Sequence, residues 1–269
     1  MNYCFEQHAG AHTGGRCWVV GNGPSLNLLN LDLIQDQTSI AMNRIPLIYP
    51  QTTWRPSYYL FCSTNIGHKT WGADWTKSVI EACEEPKTTS FLSTKAYRGL
   101  KHEFVNKKVY QFGSMTERGI NDPNAVSDNA IERVDKSGTS MSPAIQIMAC
   151  MGVRQIFIIG ADLGWRTTDH TRHVDPNHFD SSYMANISNG EWENYNVMTA
   201  HRNLKAMLDK AGIECDNASA RSMLNVYPLV NYEDVVSEEW KFEGEPENKK
   251  AMREHNDAYW ASNKYVEGT

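Results

Sequence analysis

The chain has 269 residues, 41% of them hydrophobic, which is enough for one large domain with a sizeable core. Its formal net charge is −6 and it has no block of Lys and Arg, which argues against nucleic-acid binding by charge. No run approaches the ~18 apolar residues of a membrane span, and the polar start "MNYCFEQHAGAHTGGR" has no apolar core of a secretory signal. The six cysteines are scattered without zinc spacing. Cys17, Cys62 and Cys150 stand in or beside apolar segments and read as core residues. A reduced, cytoplasmic protein is expected.

Along the chain, strand patterns alternate with helix patterns. "CWVV" reads as a first strand, and "LNLLNLDLIQDQ" has helix-like apolar spacing at Leu26, Leu29, Leu33 and Ile34. "SIAMN" and "SYYLFCST" read as the second and third strands. "ADWTKSVIEACEE" is an amphipathic helix with Trp75, Val79, Ile80 and Cys83 inward. "TTSFLST" and "KKVYQF" are weaker strands, and the polar stretch 113–138 reads as loop. "GTSMSPAIQIMACMG" is a helix closed by Gly152, and "QIFIIGADLGW" is the strongest strand, β-branched and buried on both faces. "NYNVMTAHRNLKAMLDKAG" is a long helix closed by Gly212, and "IECDNAS" is a last strand. This alternation predicts an α/β fold with a Rossmann-like, doubly wound, mostly parallel sheet over residues 16–236. A lid insertion is expected at about 164–192, and a charged, partly helical tail over 237–269, with a short helix near 249–260.

In such sheets ligands sit beyond the carboxyl ends of the strands. The turn "GNGPS" lies at one such end. Gly21 and Gly23 permit a tight turn and close approach of a ligand. Pro24 suits the first position of a helix, Ser25 can still donate, and a helix N-terminus attracts phosphate or carboxylate. Asn22 can both donate and accept, as a reader of a nucleotide would. The alternative is a strand-to-helix turn without a ligand. The third glycine and the acidic residue of the dinucleotide fingerprint are absent, and Asn43 stands near the acidic position. Asn43 and Ser63 end predicted strands on the same rim. The hydroxyl-rich "SGTSMS", with Thr139 and Ser140, suits either N-capping or an anion or ribose. Asp162 suits either an Asx-turn or a ligand hydroxyl.

"DHTRHVDPNHFDSSY", residues 169–183, combines three His, three Asp and an Arg. In such a cluster a neutral imidazole can act as a base on a hydroxyl, and positive or donating groups can hold a departing phosphate. Arg166, Arg172 or a histidine suits the second task. The competing readings are a solvated polar loop and a metal site built from His170, His173, Asp175 and His178.

"VVGNGPSL", "AMN" and "TSMSPAIQIMACMGVRQIFIIGADL" together resemble the bacterial lipooligosaccharide sialyltransferases. They also resemble motility-associated flagellin glycosylation factors and archaeal-type hydroxymethylpterin diphosphokinases. The likeness spans roughly residues 17–230. It implies a Rossmann-like domain that binds the cytidine nucleotide of CMP-sialic acid without a metal, through Asn22, Asn43, Ser63 and Ser140. It also implies a catalytic histidine at His178 of "NHF". Gly164 and His170 stand where the family has tyrosines on the leaving phosphate, and Arg166 is close by. Ser63 stands where the diphosphokinases carry an acidic residue for magnesium.

The expected function is therefore a glycosyltransferase that moves a sugar from a nucleotide donor to an unknown hydroxyl acceptor by metal-independent direct displacement. The donor is expected to be CMP-linked sialic acid or a related acidic sugar. Its catalytic residues would be His178, Arg166 and His170, its nucleotide contacts Gly21, Asn22, Gly23, Ser25, Asn43, Ser63, Thr139, Ser140 and Asp162. No cofactor or structural metal is expected, and the relatives imply a homo-oligomer. The alternatives are a magnesium-dependent diphosphotransferase and a nucleotide-binding protein without chemistry.

Overall fold

The computed structural model describes residues 8–62, 72–105, 108–112, 114–116, 130, 133–135, 139–164, 175–184, 194–220 and 222–237. Seven strands form one sheet: β1 (Arg16–Val20), β2 (Ser39–Met42), β3 (Tyr58–Phe61), β4 (Thr89–Ser93), β5 (Val109–Phe112), β8 (Gln155–Ile159) and β9 (Glu214–Asn217). Their order is β5-β4-β3-β2-β1-β8-β9 and every pair is parallel. This is the predicted α/β, doubly wound architecture, with all seven strands parallel. Two further short strands, β6 (Ser114–Thr116) and β7 (Arg133–Asp135), pair with each other inside the stretch the sequence reads as loop.

Side chains alternate between the two faces, as the strand repeat of two requires. Trp18, Val20, Ala41, Tyr59, Phe61 and Leu92 pack on one side with residues of α1 (Gly72–Glu84), α2 (Thr94–Leu100) and α5 (Tyr232–Val236). Cys17, Val19, Ile40, Met42, Leu60 and Phe91 pack on the other with α3 (Met141–Cys150) and α4 (Asn194–Lys210). With a core on each face, the central strands are apolar at nearly every position, and β1 and β8 are fully buried after their first residue.

Local details depart from the sequence pattern. The expected helix after β1 is two short 3-10 turns, Pro24–Leu28 and Leu31–Ile34, separated by the extended residues Leu29 and Asn30. Asn30 accepts from the Asp32 N–H and starts the second turn. Leu33, expected inward, is half exposed, while Leu26 and Ile34 are buried. In α1 the buried stripe is Trp75, Ser78, Val79, Ala82 and Cys83, and Ile80 is only half-buried. Cys150 is half-buried too, whereas Cys17 and Cys62 are core residues. The sequence reading missed α2, α5 and a 3-10 segment at Ile45–Gln51. The tail 238–269, with its expected helix, lies outside the described residues. No helix among the described residues is long and apolar enough to cross a membrane.

Candidate functional site at the strand switch point

The chain runs outward from β1 to β5, then returns to place β8 on the other side of β1. Strand order therefore reverses between β1 and β8, and the crevice beyond their carboxyl ends is where this architecture holds ligands. The turn Gly21-Asn22-Gly23 leaves β1 there, and Gly160 to Gly164 leaves β8 beside it. The two turns are joined by hydrogen bonds from Gly21 N to Ile159 O (2.8 Å) and from Gly23 N to Gly160 O (2.8 Å).

The glycines of the first turn make room for the protein's own second turn. A Cβ on Gly21 would lie 2.3 Å from the Gly160 carbonyl oxygen, and one on Gly23 2.5 Å from Asp162 Oδ2. Asp162 Oδ2 accepts the Ser25 N–H at 2.6 Å. The free N–H expected to attract a phosphate is thus taken by an internal carboxylate, and the segment behind it is a single 3-10 turn rather than a helix.

Burial pushes the Asp162 carboxyl up to about 6, against the opposing effect of its hydrogen bonding to Ser25. Its Oδ1 is buried with no hydrogen-bond partner, and so is Asn22 Oδ1. Both are acceptors, so they suit a ligand that brings N–H or O–H groups. Leu163, the next residue, has φ 55, a left-handed conformation that costs a branched side chain about 1–2 kcal/mol. Strain of this kind clusters at functional sites.

The raised Asp162 carboxyl gives a stability prediction. In the unfolded chain it has its ordinary value of 3.8 and in the native state about 6. Between these values the native state binds more protons, so stability falls as pH rises from about 4 to about 6 and the loss is complete above that range. Asp162→Asn removes the buried charge. It is expected to raise the unfolding free energy at pH 7.5 on the order of 1–3 kcal/mol, and by almost nothing near pH 4. Thermal unfolding at both pH values tests this, and an equal gain at both would rule out the carboxylate as its source.

Asn22 is buried, and its Nδ2 donates to Met42 O at 3.2 Å, tying the turn to β2. Asn43 follows β2 with φ 55. Its backbone carbonyl accepts the Tyr59 hydroxyl at 2.7 Å, and its Oδ1 accepts the Ser140 hydroxyl at 3.4 Å. Ser140 makes no side-chain cap for α3, while Thr139 Oγ1 accepts the Met141 N–H, the N-capping role. Asn22, Asn43, Ser140 and Asp162 thus share the rim formed by the ends of β1, β2, β8 and the start of α3. Ser63, Arg166 and His170 lie outside the described residues, as do Arg172 and His173.

Residues 175–184, the described part of the expected lid, pack against this rim. The Phe179 N–H donates to Asn22 O at 2.9 Å, and Asn27 Nδ2 donates to Phe179 O at 2.7 Å. Phe179 and Tyr183 are buried in the core beside α1. From the start of the 3-10 segment that follows β2, Arg44 Nη1 donates to the carbonyls of Tyr183 (2.6 Å) and Ser182 (3.1 Å). The histidine of "NHF" is thereby fixed to the first turn. His178 Nδ1 is 2.6 Å from Asp175 Oδ2, and its ring stacks on Tyr183 at 3.8 Å with 6° between planes. The Asp175 and His178 side chains are 1% and 11% exposed, so water has little access to the pair.

Sequence reasoning missed Arg44 and Tyr183, and named Asp175 only as a metal ligand. The available signal was "DPNH": an Asp whose Oδ1 accepts the N–H two residues on, at 2.8 Å, forms an Asx-turn, and its other oxygen then reaches the His at the third position. Among the described residues no three His, Cys, Asp or Glu side chains converge as a metal site would require. His201, by contrast, is a core histidine. It is buried against Tyr227, 3.0 Å from its hydroxyl, and burial pushes it down to about 4.

No protein-family model and no curated protein matches the chain. Among solved structures it is similar to the sialyltransferase CstII from Campylobacter jejuni in complex with the substrate analogue cytidine-5'-monophosphate. Identity is 12%, with 80% of this chain and 84% of that one covered, at a TM-score of 0.45. It is also similar to the sialyltransferase CST-II with a trisaccharide acceptor and CMP, at 13% identity, 80% and 85% coverage and a TM-score of 0.43. A third similar structure is the monofunctional alpha-2,3-sialyltransferase Cst-I from Campylobacter jejuni, at 13% identity, 92% and 95% coverage and a TM-score of 0.47. Identities this low transfer no residue roles.

Proposed function

We propose that the chain is a glycosyltransferase that moves a sugar from a nucleotide donor, CMP-linked sialic acid or a related acidic sugar, to a hydroxyl acceptor. The observation that carries this reading is the docking of Phe179 on the Asn22 carbonyl, which seats His178 beside the turn at the strand switch point. A candidate proton-transfer group and a set of polar side chains then lie along one rim of strand ends. The donor nucleoside lies against Asn22, Asn43, Ser140 and Asp162, where buried acceptors meet its hydroxyl and amino groups. The acceptor hydroxyl gives its proton to a neutral His178 as its oxygen attacks the anomeric carbon. A new glycosidic C–O bond forms, the C–O bond to phosphate breaks, and the nucleotide leaves with that electron pair. Arg166 and His170 are proposed to stabilise the departing phosphate.

The test is a thermal-shift screen with CMP, UMP, UDP, GDP and ATP, each in EDTA and in magnesium. A ligand that binds only the native state raises its melting temperature by mass action. CMP is expected to stabilise the protein in EDTA, followed by transfer from CMP-linked sugars to glycan acceptors. Stabilisation by ATP with magnesium and not by CMP would replace this reading with a diphosphotransferase.

A further inference from the structure

Nothing in a glycosyltransferase reading of His178 says which of its two nitrogens carries the proton. We infer that Asp175 is a positioning residue that holds His178 in the Nδ1–H tautomer, leaving the lone pair on Nε2 to serve as the base. This rests on the reading of His178 given above, but the tautomer itself can be observed without any activity.

The geometry fixes the ring in three ways. Asp175 Oδ2 lies 2.6 Å from Nδ1, a charge-assisted distance that places a hydrogen on the nitrogen, because a carboxylate can only accept. The carboxylate is itself held, since its Oδ1 accepts the Asn177 N–H at 2.8 Å and the Asp175 N–H donates to Ser181 O at 2.8 Å. Tyr183 stacks under the imidazole at 3.8 Å, and Arg44 holds the Tyr183 backbone, so rotation of the ring would break a packed contact. Asp175 is 1% exposed at its side chain. A polar group buried that deeply needs hydrogen-bond partners, and two of these come from its own turn and from His178. An aspartate that serves only the turn needs one oxygen, for the Asn177 N–H. The second oxygen is directed at the imidazole.

The same logic predicts how the lock fails. In Asp175→Asn the amide can turn its NH2 toward Nδ1, which then becomes the acceptor, and the proton moves to Nε2. The ring keeps its place but presents a hydrogen where the lone pair should be, which abolishes base function.

The test is 15N NMR of the imidazole, with the His178 signals assigned by comparison with His178→Asn, beside steady-state transfer and nucleotide titration. In the wild type the neutral ring is expected as the Nδ1–H tautomer, and in Asp175→Asn as Nε2–H. Turnover in that variant is expected to fall about 10²–10⁴-fold, while nucleotide affinity stays within about threefold of wild type. Asp175→Glu, which keeps a carboxylate, should keep the Nδ1–H tautomer and recover part of the turnover. An Nε2–H tautomer in the wild type overturns the inference. So does full turnover in Asp175→Asn, or a loss of nucleotide affinity and native structure in both variants, which would make Asp175 a structural residue only. A wild-type Nδ1–H tautomer in a protein that transfers no sugar would uphold the lock and sink the glycosyltransferase reading instead.

Discussion

His178→Ala is expected to lower the rate of the proposed sugar transfer by about 10²–10⁴-fold, the usual contribution of a positioned general base, with binding of the proposed nucleotide retained. The two effects separate because the groups are separate. Asn22, Asn43, Ser140 and Asp162 are set by the strand ends and the start of α3, and none of them hydrogen-bonds the imidazole through a contact seen here. The substitution also has a stability cost. It removes the stack on Tyr183 and leaves Asp175 Oδ2 without its imidazole partner. An unsatisfied buried acceptor costs about 1–3 kcal/mol. His178→Asn, which retains a donor for Asp175, therefore serves as the companion variant: it should be more stable than His178→Ala and as slow. Transfer by both is measured beside His170→Ala and His173→Ala. Full activity in the two His178 variants, with its loss in His170→Ala, would move the base to His170. Loss of a bound metal in all of the variants would revive the metal reading of the histidine-rich stretch.

The sheet was open to sequence reading because its strands are buried on both faces. Short β-branched and aromatic runs such as "CWVV" and "QIFII" carry that environment in their composition, and each strand of the main sheet overlaps a predicted segment, β1 starting one residue before "CWVV". The stretch from Leu26 to Ile34 misled for a physical reason. Its leucine spacing fits a helix, but Asn30 breaks it, and Asp32 is held elsewhere. Asp32 Oδ1 collects the Thr52 and Thr53 hydroxyls and the N–H groups of Thr53 and Trp54. Those donors arrive from another part of the chain, so local periodicity carries no trace of them. The same holds at the site. Asn22, Asn43 and Asp162 can be placed on one rim because each closely follows a recognisable strand. The roles of Arg44 and Tyr183 cannot, because they arise only when residues 175–184 fold back on the turn after β2 and on α1. The glycines of the first turn read as a place of close approach. What approaches them is Gly160 and Asp162.

That close approach makes Gly21→Ala the most damaging single methyl the sheet can receive at this turn. Gly21 does not have a positive φ, so alanine is conformationally acceptable there and the effect is steric alone. The added carbon would meet Gly160 O at 2.3 Å, Gly160 C at 2.9 Å and Met141 Cε at 2.9 Å. Met141 can yield, because its side chain is flexible. Gly160 O cannot, because the Gly160 carbonyl accepts the Gly23 N–H and the residue follows a central strand. Relief would require β1 and β8 to separate, and they are paired over five residues in the middle of the sheet. Overpacking usually costs 1–3 kcal/mol, and this case belongs at or above ~3 kcal/mol. For a domain of this size that corresponds to a fall in melting temperature of roughly 6–12 °C. Gly23→Ala provides the contrast. Its nearest obstacle is the tip of the Asp162 side chain at 2.5 Å, which can swing aside, and the rigid Gly160 carbonyl oxygen is met at 2.9 Å rather than 2.3 Å, so less stability is lost. The movement would instead break the Asp162 bond to the Ser25 N–H and shift a proposed ligand acceptor, so nucleotide affinity should suffer more than folding. Denaturant unfolding and nucleotide titration on both variants test the pair. If Gly21→Ala unfolds at the wild-type midpoint, the two turns are not in the rigid contact on which the crevice depends.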